Sequence, residues 1–298
     1  MTETRDQWHR WLLEVRHGGD AEFREQMLAR RLHPVRDRVL DRAELRPDDT
    51  LLDVGCGDGL IAFGALGRLG PEGRVIFSDV SEDLLDHCRA AAAASGDLDR
   101  CEFVRAMADR LAGIADASVD VVTTRSVLIY VKDKAAAFSE FRRVLRPGGR
   151  VSLFEPINTL MHVAEQDAFM GYDITGIEPI AQKIKAVFRT YQPDRDPMTD
   201  FDDRDLVRLA EEAGFALVDL ELQVTVKSSR APTPWERFVR MSGNPLVPPL
   251  ADVIDQALTE REKAKFAAHL RPLVEAGVGQ DRMAVAYLKA RDGEPAPA

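Results

Sequence analysis

The fold of this 298-residue chain is decided by LLDVGCGDG, residues 51–59, where a short apolar run leads into three glycines and two aspartates. The glycines predict a sharp turn along which a ligand lies against bare backbone, because glycine adopts angles that other residues avoid. The GxGxG spacing is not the GxGxxG of a dinucleotide site, since Leu60 takes the third glycine's place, and the Lys-Ser/Thr pair of a phosphate loop is missing. The two acids, Asp53 and Asp58, would repel a pyrophosphate and suit a cation.

Around this motif, short apolar strands alternate with helices. We predict strands at Thr50–Val54, Arg74–Ser78, Cys101–Arg105, Val119–Thr124 and Arg150–Phe154. Helices are predicted near Leu60–Leu69, Glu82–Ser95 and Lys132–Leu145. Strands this rich in Val, Ile, Leu and Phe are typical of a parallel sheet covered on both faces, and the alternation implies right-handed crossovers. The predicted fold class is therefore α/β with a doubly wound sheet.

Outside this α/β pattern, the chain is expected to be mostly helical. Trp8, Trp11, Leu12 and Val15 recur at helical spacing and predict an N-terminal helix with one apolar face. Two later segments are too long for simple connections between strands and helices. The predicted organisation is a helical lid at 1–46, the α/β core at 47–155, a lid insertion at 156–200, core again at 201–226, a helical insertion at 227–282, the last core strand at 283–292 and a tail at 293–298.

Charge and cysteine content narrow the class of protein. The formal net charge of -10 disfavours broad binding to DNA or to anionic membranes, which usually needs a basic face. Three cysteines without a CxxC pair argue against a disulfide framework or a structural zinc site, so we expect no metal and a cytoplasmic protein with reduced thiols. The polar first residues do not resemble a signal peptide, and no run approaches the ~20 apolar residues of a membrane span.

The end of the predicted second strand adds a further acid. Asp79 is placed to accept two ribose hydroxyls through its two carboxylate oxygens. In an open parallel sheet, ligands bind at the carboxyl ends of the strands where the strand order reverses, and the glycine turn follows the first strand. A ligand with a ribose, no phosphate and positive charges suits both places. S-adenosylmethionine, whose sulfonium and ammonium are cationic, has this chemistry.

Three segments in order make the chain resemble the class I S-adenosylmethionine-dependent methyltransferases, from about Leu51 to Pro156. They are DVGCGDG at 53–59, SDVSEDLL at 78–85 and EFRRVLRPGGRVSLFEP at 140–156. The resemblance implies a seven-stranded, mostly parallel sheet whose last strand runs antiparallel, and Met283–Lys289 suits that strand. It also implies S-adenosyl-L-methionine as the cofactor.

The same resemblance implies which residues bind the cofactor. Met107 stands where many family members carry an acid that binds adenine, so Met107 is expected to pack on the ring, with Asp109 as a nearby substitute and the Ala108 backbone as a further partner. The backbone carbonyl of Arg125 is expected to receive the methionine ammonium, while its side chain could face the acceptor. The implied cofactor-binding residues are Asp53, Gly55, Cys56, Gly57, Asp79, Val80, Met107, Ala108 and Arg125.

Catalytic candidates must lie over the carboxyl ends of the strands. His162 follows the fifth strand and is a candidate base, and Tyr130 follows the fourth strand and is a candidate for lining the acceptor pocket. Glu155, at the tip of the fifth strand, is a candidate for orienting the acceptor. Packing or surface roles remain open for His162 and Tyr130. A base is needed only where the acceptor must lose a proton, as a hydroxyl does and a carboxylate does not.

We expect an enzyme that methylates a small or medium organic acceptor in secondary-metabolite or peptide natural-product biosynthesis, with oxygen, including carboxylate, preferred. The helix at 180–191 carries Lys183, Lys185 and Arg189, which suit an anionic acceptor or a solvated helix face. The chain lacks the N/D-PP-Y/F tetrapeptide of DNA-amino methylation. Alternatives are a methyltransferase acting on a protein side chain or RNA, a non-catalytic adenosylmethionine-binding module, and an NAD-dependent oxidoreductase. The chain is expected to be a monomer or a homodimer.

Overall fold

The computed structural model describes residues 5–161, 168–191 and 196–293. Its strands are β1 Thr50–Val54, β2 Arg74–Asp79, β3 Cys101–Arg105, β4 Val119–Arg125, β5 Leu145–Pro156, β6 Ala168–Phe169, β7 Tyr172–Asp173, β8 Leu217–Lys227 and β9 Asp281–Arg291. Seven of them form one sheet in the order β3-β2-β1-β4-β5-β9-β8, while β6 and β7 form a separate hairpin. β9 is antiparallel to β5 and β8, and the other pairs are parallel. This confirms the predicted seven-stranded sheet with an antiparallel last strand.

Helices cover both faces of the sheet. They are α1 Gln7–Arg10, α2 Ala21–Met27, α3 His33–Ala43, α4 Leu60–Leu66, α5 Glu82–Ser95, α6 Lys134–Val144, α7 Asn158–Met161, α8 Glu178–Tyr191, α9 Asp203–Glu212, α10 Trp235–Arg240, α11 Leu250–Ala257 and α12 Glu260–Ala276. One face carries α3, α4 and α5, and the other carries α6 and α9. No helix in the described ranges combines the length and apolar character that crossing a bilayer demands.

β1 lies at the centre of the sheet, where the strand order reverses. Its neighbours are β2 and β4, both parallel to it. Leu51, Leu52 and Val54 are almost fully buried, because helices cover both faces of the sheet. Open α/β sheets bind ligands in the crevice at the carboxyl end of such a strand. The fold therefore places the glycine turn that follows β1 at this crevice.

The third N-terminal helix, α3, packs on the sheet and is not part of a lid. Val39, Leu40 and Ala43 are fully buried in the core cluster on that face. Ser152 Oγ of β5 donates a hydrogen bond to the Val39 carbonyl at 2.7 Å, and Arg150 Nε donates to the Ala43 carbonyl at 2.6 Å. The helical segment that is free to cover the crevice therefore ends before His33, in contrast to the predicted lid at 1–46.

The two predicted insertions share one apolar core. Phe169 of the β6–β7 hairpin packs edge-on against Phe266 of α12, with ring centroids 5.6 Å apart. Tyr172 of the hairpin is edge-on to Phe238 of α10 at 5.7 Å. Helices α8 and α11 complete this cluster. The insertions therefore support each other although the core segment 201–226 separates them in sequence.

The N-terminal segment is attached to the second insertion. Arg237 of α10 forms an ion pair with Asp20 at 2.5 Å, and its guanidinium carbon lies 4.4 Å from the ring centre of Phe23. Trp11 Nε1 donates a hydrogen bond to the Ser242 carbonyl at 3.0 Å. Together, the segment and the insertion cover the carboxyl end of the sheet.

Candidate active site

A cavity of about 470 Å³ opens at the carboxyl ends of β1, β2, β3 and β4. The turns that follow these strands form its floor, and the N-terminal segment contributes Trp8, Trp11, Leu12 and Arg16 to its lining. Gly243, from the second insertion, lies at one side. Small-molecule sites usually have volumes of about 300–1,000 Å³. Position and size together make this cavity the candidate active site.

The glycine turn after β1 brings bare backbone into the cavity wall. Gly55 and Gly57 both line the cavity, and both have positive φ, +65° and +57°. A Cβ atom on Gly55 would lie 2.4 Å from a methyl carbon of Val127, and one on Gly57 would lie 3.1 Å from a methyl carbon of Leu12. Both positions therefore favour glycine for the backbone angle, Gly55 also for the space, and they expose main-chain groups to a ligand.

Asp79 ends β2 beside this turn and lines the cavity. Its Oδ2 accepts the Gly57 N–H at 2.9 Å, and its Oδ1 accepts the Ser81 N–H at 2.9 Å. Ser81 also caps α5, since its hydroxyl accepts the Leu84 N–H at 3.0 Å. Burial raises the pKa of Asp79, while the N–H donors oppose this effect. Because a carboxylate has about four acceptor positions, each oxygen can still accept a ligand hydroxyl.

The turns after β2, β3 and β4 supply a mainly apolar wall. Met107, of which 51% is exposed, and the buried Ala108 line the cavity after β3. Val80 after β2 and Ile129 after β4 extend the same wall, and Asp109 adds one carboxylate. The structure thus brings Val80, Met107 and Ala108 together with the glycine turn, in a surface that suits a flat, apolar ring system.

Asp53 and Cys56, which were predicted to bind the cofactor, lie below the glycine turn and are not among the lining residues of the cavity. Asp53 is 2% exposed, and its carboxylate accepts the Thr123 Oγ–H at 2.9 Å and the Ala62 N–H at 3.2 Å. It therefore ties β1 to β4 and α4. Cys56 is buried beside Cys88. Both residues support the turn from inside the protein.

Asp58, the other acid of the motif, is paired with the N-terminal segment. Its Oδ2 accepts a hydrogen bond from Arg24 Nη2 at 3.1 Å. With Asp53 buried and Asp58 paired, neither acid is among the described residues that line the cavity. The structure thus gives both acids a structural role, and Asp58 holds α2 against the glycine turn.

The buried position of Asp53 predicts a pH-dependent stability. Burial raises the pKa of Asp53 to about 7, while the pKa of an unfolded aspartate is near 4. Between these values the folded state keeps a proton that the unfolded state has lost. The contribution of Asp53 to the free energy of unfolding is thus present below pH ~4 and is lost as the pH rises through ~7.

We therefore expect Asp53→Asn, which stays uncharged, to lose less stability than the wild type between about pH 5 and about pH 8 in urea unfolding. Burial also raises the pKa of Glu155 to about 7. That effect is common to both proteins and cancels in the comparison. An equal loss of stability in variant and wild type would show that Asp53 does not titrate in this range.

Glu155 lies under the loop after β4 and does not face the cavity, in contrast to its predicted role at the acceptor. Its side chain is fully buried. Oε1 accepts the N–H groups of Val127 and Leu128 at 2.9 and 3.0 Å, and Oε2 accepts the Ile129 N–H at 3.4 Å. This loop carries Ile129 and Tyr130 into the cavity wall. The geometry makes Glu155 a residue that positions the loop.

Tyr130 lines the cavity and packs edge-on against Trp8, with ring centroids 5.0 Å apart. Burial raises the pKa of Tyr130, so the hydroxyl remains protonated near neutral pH. It can donate a hydrogen bond to an acceptor but is a poor general base. His162 lies outside the described residues. Among the described residues that line the cavity there is no histidine.

Two guanidinium groups, from Arg16 and Arg125, line the cavity. Within the described ranges, neither forms an ion pair with a carboxylate. The Arg16 guanidinium carbon lies 5.0 Å from the ring centre of Trp11. Burial and the charge of Arg125 lower the pKa of Arg16 to about 10. Two guanidinium groups without an ion-pair partner among the described residues can each bind an anionic group of a ligand.

Arg16 was not among the predicted site residues, although a signal was present. Trp8, Leu12 and Arg16 are spaced by four residues and therefore lie on one face of the N-terminal helical segment, and all three line the cavity. The apolar spacing predicted that this face is covered. Only the packing shows that it covers the crevice after β1.

The three basic residues of α8 lie away from this cavity. Lys183 forms an ion pair with Glu262 at 2.6 Å. Lys185 and Arg189 line a second cavity of about 660 Å³ within the insertions. None of the three is among the described residues that line the first cavity.

The chain is similar in sequence to known proteins. The sequence profile of the ubiE/COQ5 methyltransferase family matches residues 25–226. The ubiquinone/menaquinone biosynthesis C-methyltransferase UbiE of Roseobacter denitrificans is 32% identical over 181 residues, which cover 60% of this chain and 71% of that protein. Nocamycin O-methyltransferase of Saccharothrix syringae is 36% identical over 129 residues, which cover 42% of this chain and 44% of that protein.

A solved structure shares the fold. Phosphoethanolamine N-methyltransferase 2 of Haemonchus contortus, in complex with phosphomonomethylethanolamine and S-adenosylhomocysteine, aligns with a TM-score of 0.52 and 15% identity over 88% of this chain and 53% of that chain. At this identity, the likeness shows the fold alone. The chain spans less than half the length of several curated relatives that it matches, 47%, 44% and 29% for three of them.

Proposed function

Because the chain belongs to the ubiE/COQ5 methyltransferase family, we propose that it transfers the methyl group of S-adenosylmethionine to an oxygen, by preference a carboxylate oxygen, of a small or medium organic acceptor. The observation that carries the choice of acceptor is the presence in the cavity of two guanidinium groups that form no ion pair within the described residues. An acceptor from secondary-metabolite or peptide natural-product biosynthesis is in keeping with a relative named nocamycin O-methyltransferase.

The described residues fit the cofactor along the floor of the cavity. When bound, S-adenosylmethionine supplies an electrophilic methyl group on a sulfonium. The exposed backbone of the glycine turn would hold the methionine portion, and the Arg125 carbonyl would receive its ammonium. Asp79 would accept the ribose hydroxyls. Val80, Met107 and Ala108 would cover the adenine.

The number of cations in the cavity exceeds what the cofactor needs. The cofactor has one carboxylate, which one guanidinium can hold in a bidentate contact. We assign this contact to Arg16, because it lies one helical turn after Leu12, the residue that approaches Gly57. Arg125 then remains for an anionic acceptor, at the end of β4 and close to the loop that carries Tyr130.

A carboxylate acceptor matches the chemistry of the lining. It needs no general base, and the described lining contains no histidine and only a tyrosine whose pKa is raised. Arg125 and the Tyr130 hydroxyl would hold the acceptor in line with the methyl group, so the protein acts mainly by positioning. Trp8 and Trp11 would exclude water. A covered cavity of this kind favours a small acceptor over a protein side chain or RNA.

The proposal predicts a division of labour between the two arginines. With deuteromethyl S-adenosylmethionine, we expect methyl esters from benzoic or octanoic acid and no product from the matching amides, as measured by mass spectrometry. Arg125→Met should raise the KM for the acid by about tenfold or more, since a hydrogen bond to a charged group is lost. Arg16→Met should instead weaken the binding of S-adenosylmethionine, measured by calorimetry.

Arg208→Met is the matched control, because Arg208 is exposed on α9 and pairs with Asp205 and Glu212. It should alter neither the KM for the acid nor the affinity for S-adenosylmethionine. Equal methylation of acids and amides, or an unchanged KM in Arg125→Met, would contradict an anionic acceptor.

A further inference from the structure

We propose that the acceptor site continues past Gly243 into the second cavity, so that the acceptor is an elongated amphipathic acid with its carboxylate at Arg125 and an apolar body that extends between the insertions. This inference rests on the proposed function and adds to it the shape and chemical class of the acceptor.

The second cavity is suited to an apolar body. It has a volume of about 660 Å³, and Phe169, Phe188, Met241 and Leu250 contribute apolar side chains to its lining. Met170, which also lines this cavity, is 41% exposed and adds apolar surface to it. A chain or fused ring system of an acceptor would bury this surface.

The two cavities meet at one residue. Gly243 lines both of them. A Cβ atom added at Gly243 would meet nothing within 4 Å, so the space above this residue is open. The exposed Gly243 therefore stands at the boundary that the two cavities share, with open space above it.

The residues around this boundary are held in place. Trp11, which lines the first cavity, donates to the carbonyl of Ser242, which lines the second. The Ser242 hydroxyl lies 2.7 Å from the Asn244 carbonyl and 2.8 Å from the Val247 carbonyl. The boundary is thus formed by an ordered loop, and a side chain placed at residue 243 would fill part of the open space.

The place of methyl transfer sets the direction of the acceptor. Arg125 and Arg16 lie in the first cavity, among the strand ends where the methyl group would be delivered. The second cavity is lined by apolar side chains together with two cations, Lys185 and Arg189. A molecule with its carboxylate at the first end presents the reacting oxygen to the methyl group, and its apolar portion packs against the apolar side chains at the second.

The test compares butanoate, octanoate and dodecanoate as probes. Their binding to the wild type is measured by calorimetry in the presence of S-adenosylhomocysteine, which gives a readout that does not depend on turnover. We expect the affinity to rise at least about a hundredfold from butanoate to dodecanoate, because each buried methylene adds to it. Failure of dodecanoate to bind more tightly than butanoate would overturn the proposal.

Gly243→Phe should remove most of this gain, so that dodecanoate loses at least about tenfold more affinity than butanoate. Gly243→Ala, which adds only a methyl group in open space, is the control and should keep the dependence on length. Met170→Glu, at an exposed position on the far side, should weaken dodecanoate selectively by a route that does not involve the loop at 243. If Gly243→Phe and Met170→Glu both kept the wild-type dependence of affinity on chain length, the second cavity would not hold the acceptor.

The two proposals fail in different ways. Arg125→Met should weaken all three probes by a similar factor, since they share the carboxylate. A loss of the length dependence in Gly243→Phe with no effect of Arg125→Met would leave the extended cavity intact and remove the anionic anchor of the proposed function. A loss of affinity in Arg125→Met, with an unchanged length dependence in Gly243→Phe, would contradict only the proposed extension into the second cavity.

Discussion

Replacement of Asp79 by alanine is expected to weaken the binding of S-adenosylmethionine by at least about 100-fold, because two hydrogen bonds to a charged group contribute ~1.5–3 kcal/mol each. On the proposed placement, the lost carboxylate accepts both ribose hydroxyls. The substitution also removes the acceptor of the Gly57 N–H, 2.9 Å away, so the glycine turn loses its anchor as well. Isothermal titration with S-adenosylmethionine measures the change.

Two variants separate this effect from a general loss of structure. Asp86→Ala removes the same charge from an exposed position of α5 and should leave the affinity within about twofold of the wild type. Asp79→Asn keeps one carbonyl oxygen and should be intermediate. Wild-type affinity in Asp79→Ala, with an unchanged melting temperature, would place the ribose elsewhere in the cavity.

Replacement of Glu155 by alanine is expected to reduce the free energy of unfolding by about 3 kcal/mol or more, because each buried N–H group left without a partner costs ~1–3 kcal/mol. Three such groups, at residues 127–129, depend on this carboxylate. The loop also carries Tyr130 into the cavity and packs Val127 against Gly55. Methyl transfer should therefore fall together with stability. Urea unfolding and product formation measure the two losses.

Glu155→Gln is the informative companion variant. Its single carbonyl oxygen can accept the Val127 and Leu128 N–H groups, while its amide meets only the longest contact, to Ile129 at 3.4 Å. We expect less than half of the destabilisation caused by alanine. Glu102→Ala, at an exposed position of β3, should have little effect on stability. If Glu155→Ala were as stable as Glu155→Gln, the carboxylate would not be what holds the loop.

Strand positions could be predicted closely because short apolar runs between turn residues mark buried strands. β1 and β3 have the predicted bounds, Thr50–Val54 and Cys101–Arg105. β5 was predicted from Arg150, yet it begins at Leu145, because the residues before Gly149 stay beside β4 with a shift of register between Val119 and Val121. A Pro-Gly-Gly sequence indicates a change of direction, and does not show whether pairing continues through it.

The N-terminal helices show where periodicity stops being informative. The spacing of Trp8, Leu12 and Arg16 and the apolar residues of α3 both predict a covered face. The face with Trp8, Leu12 and Arg16 covers the crevice. The apolar face of α3 packs on the sheet through contacts with β5, which lies more than 100 residues later. Amphipathic spacing indicates that a helix face is buried. It does not indicate which part of the protein covers that face, because this depends on the tertiary structure.

The sequence by itself determined the sheet, the glycine turn after β1 and the acid that ends β2, because backbone angles and the burial of short apolar runs are local properties of the chain. Only the tertiary structure decided which charged groups meet a ligand. It buried Asp53 against Thr123, 70 residues away, and placed Glu155 under a loop. It brought Arg16 from the N-terminal segment to Arg125 in one cavity. The physical reason is that the partner and the solvent exposure of a charge depend on residues far apart in sequence.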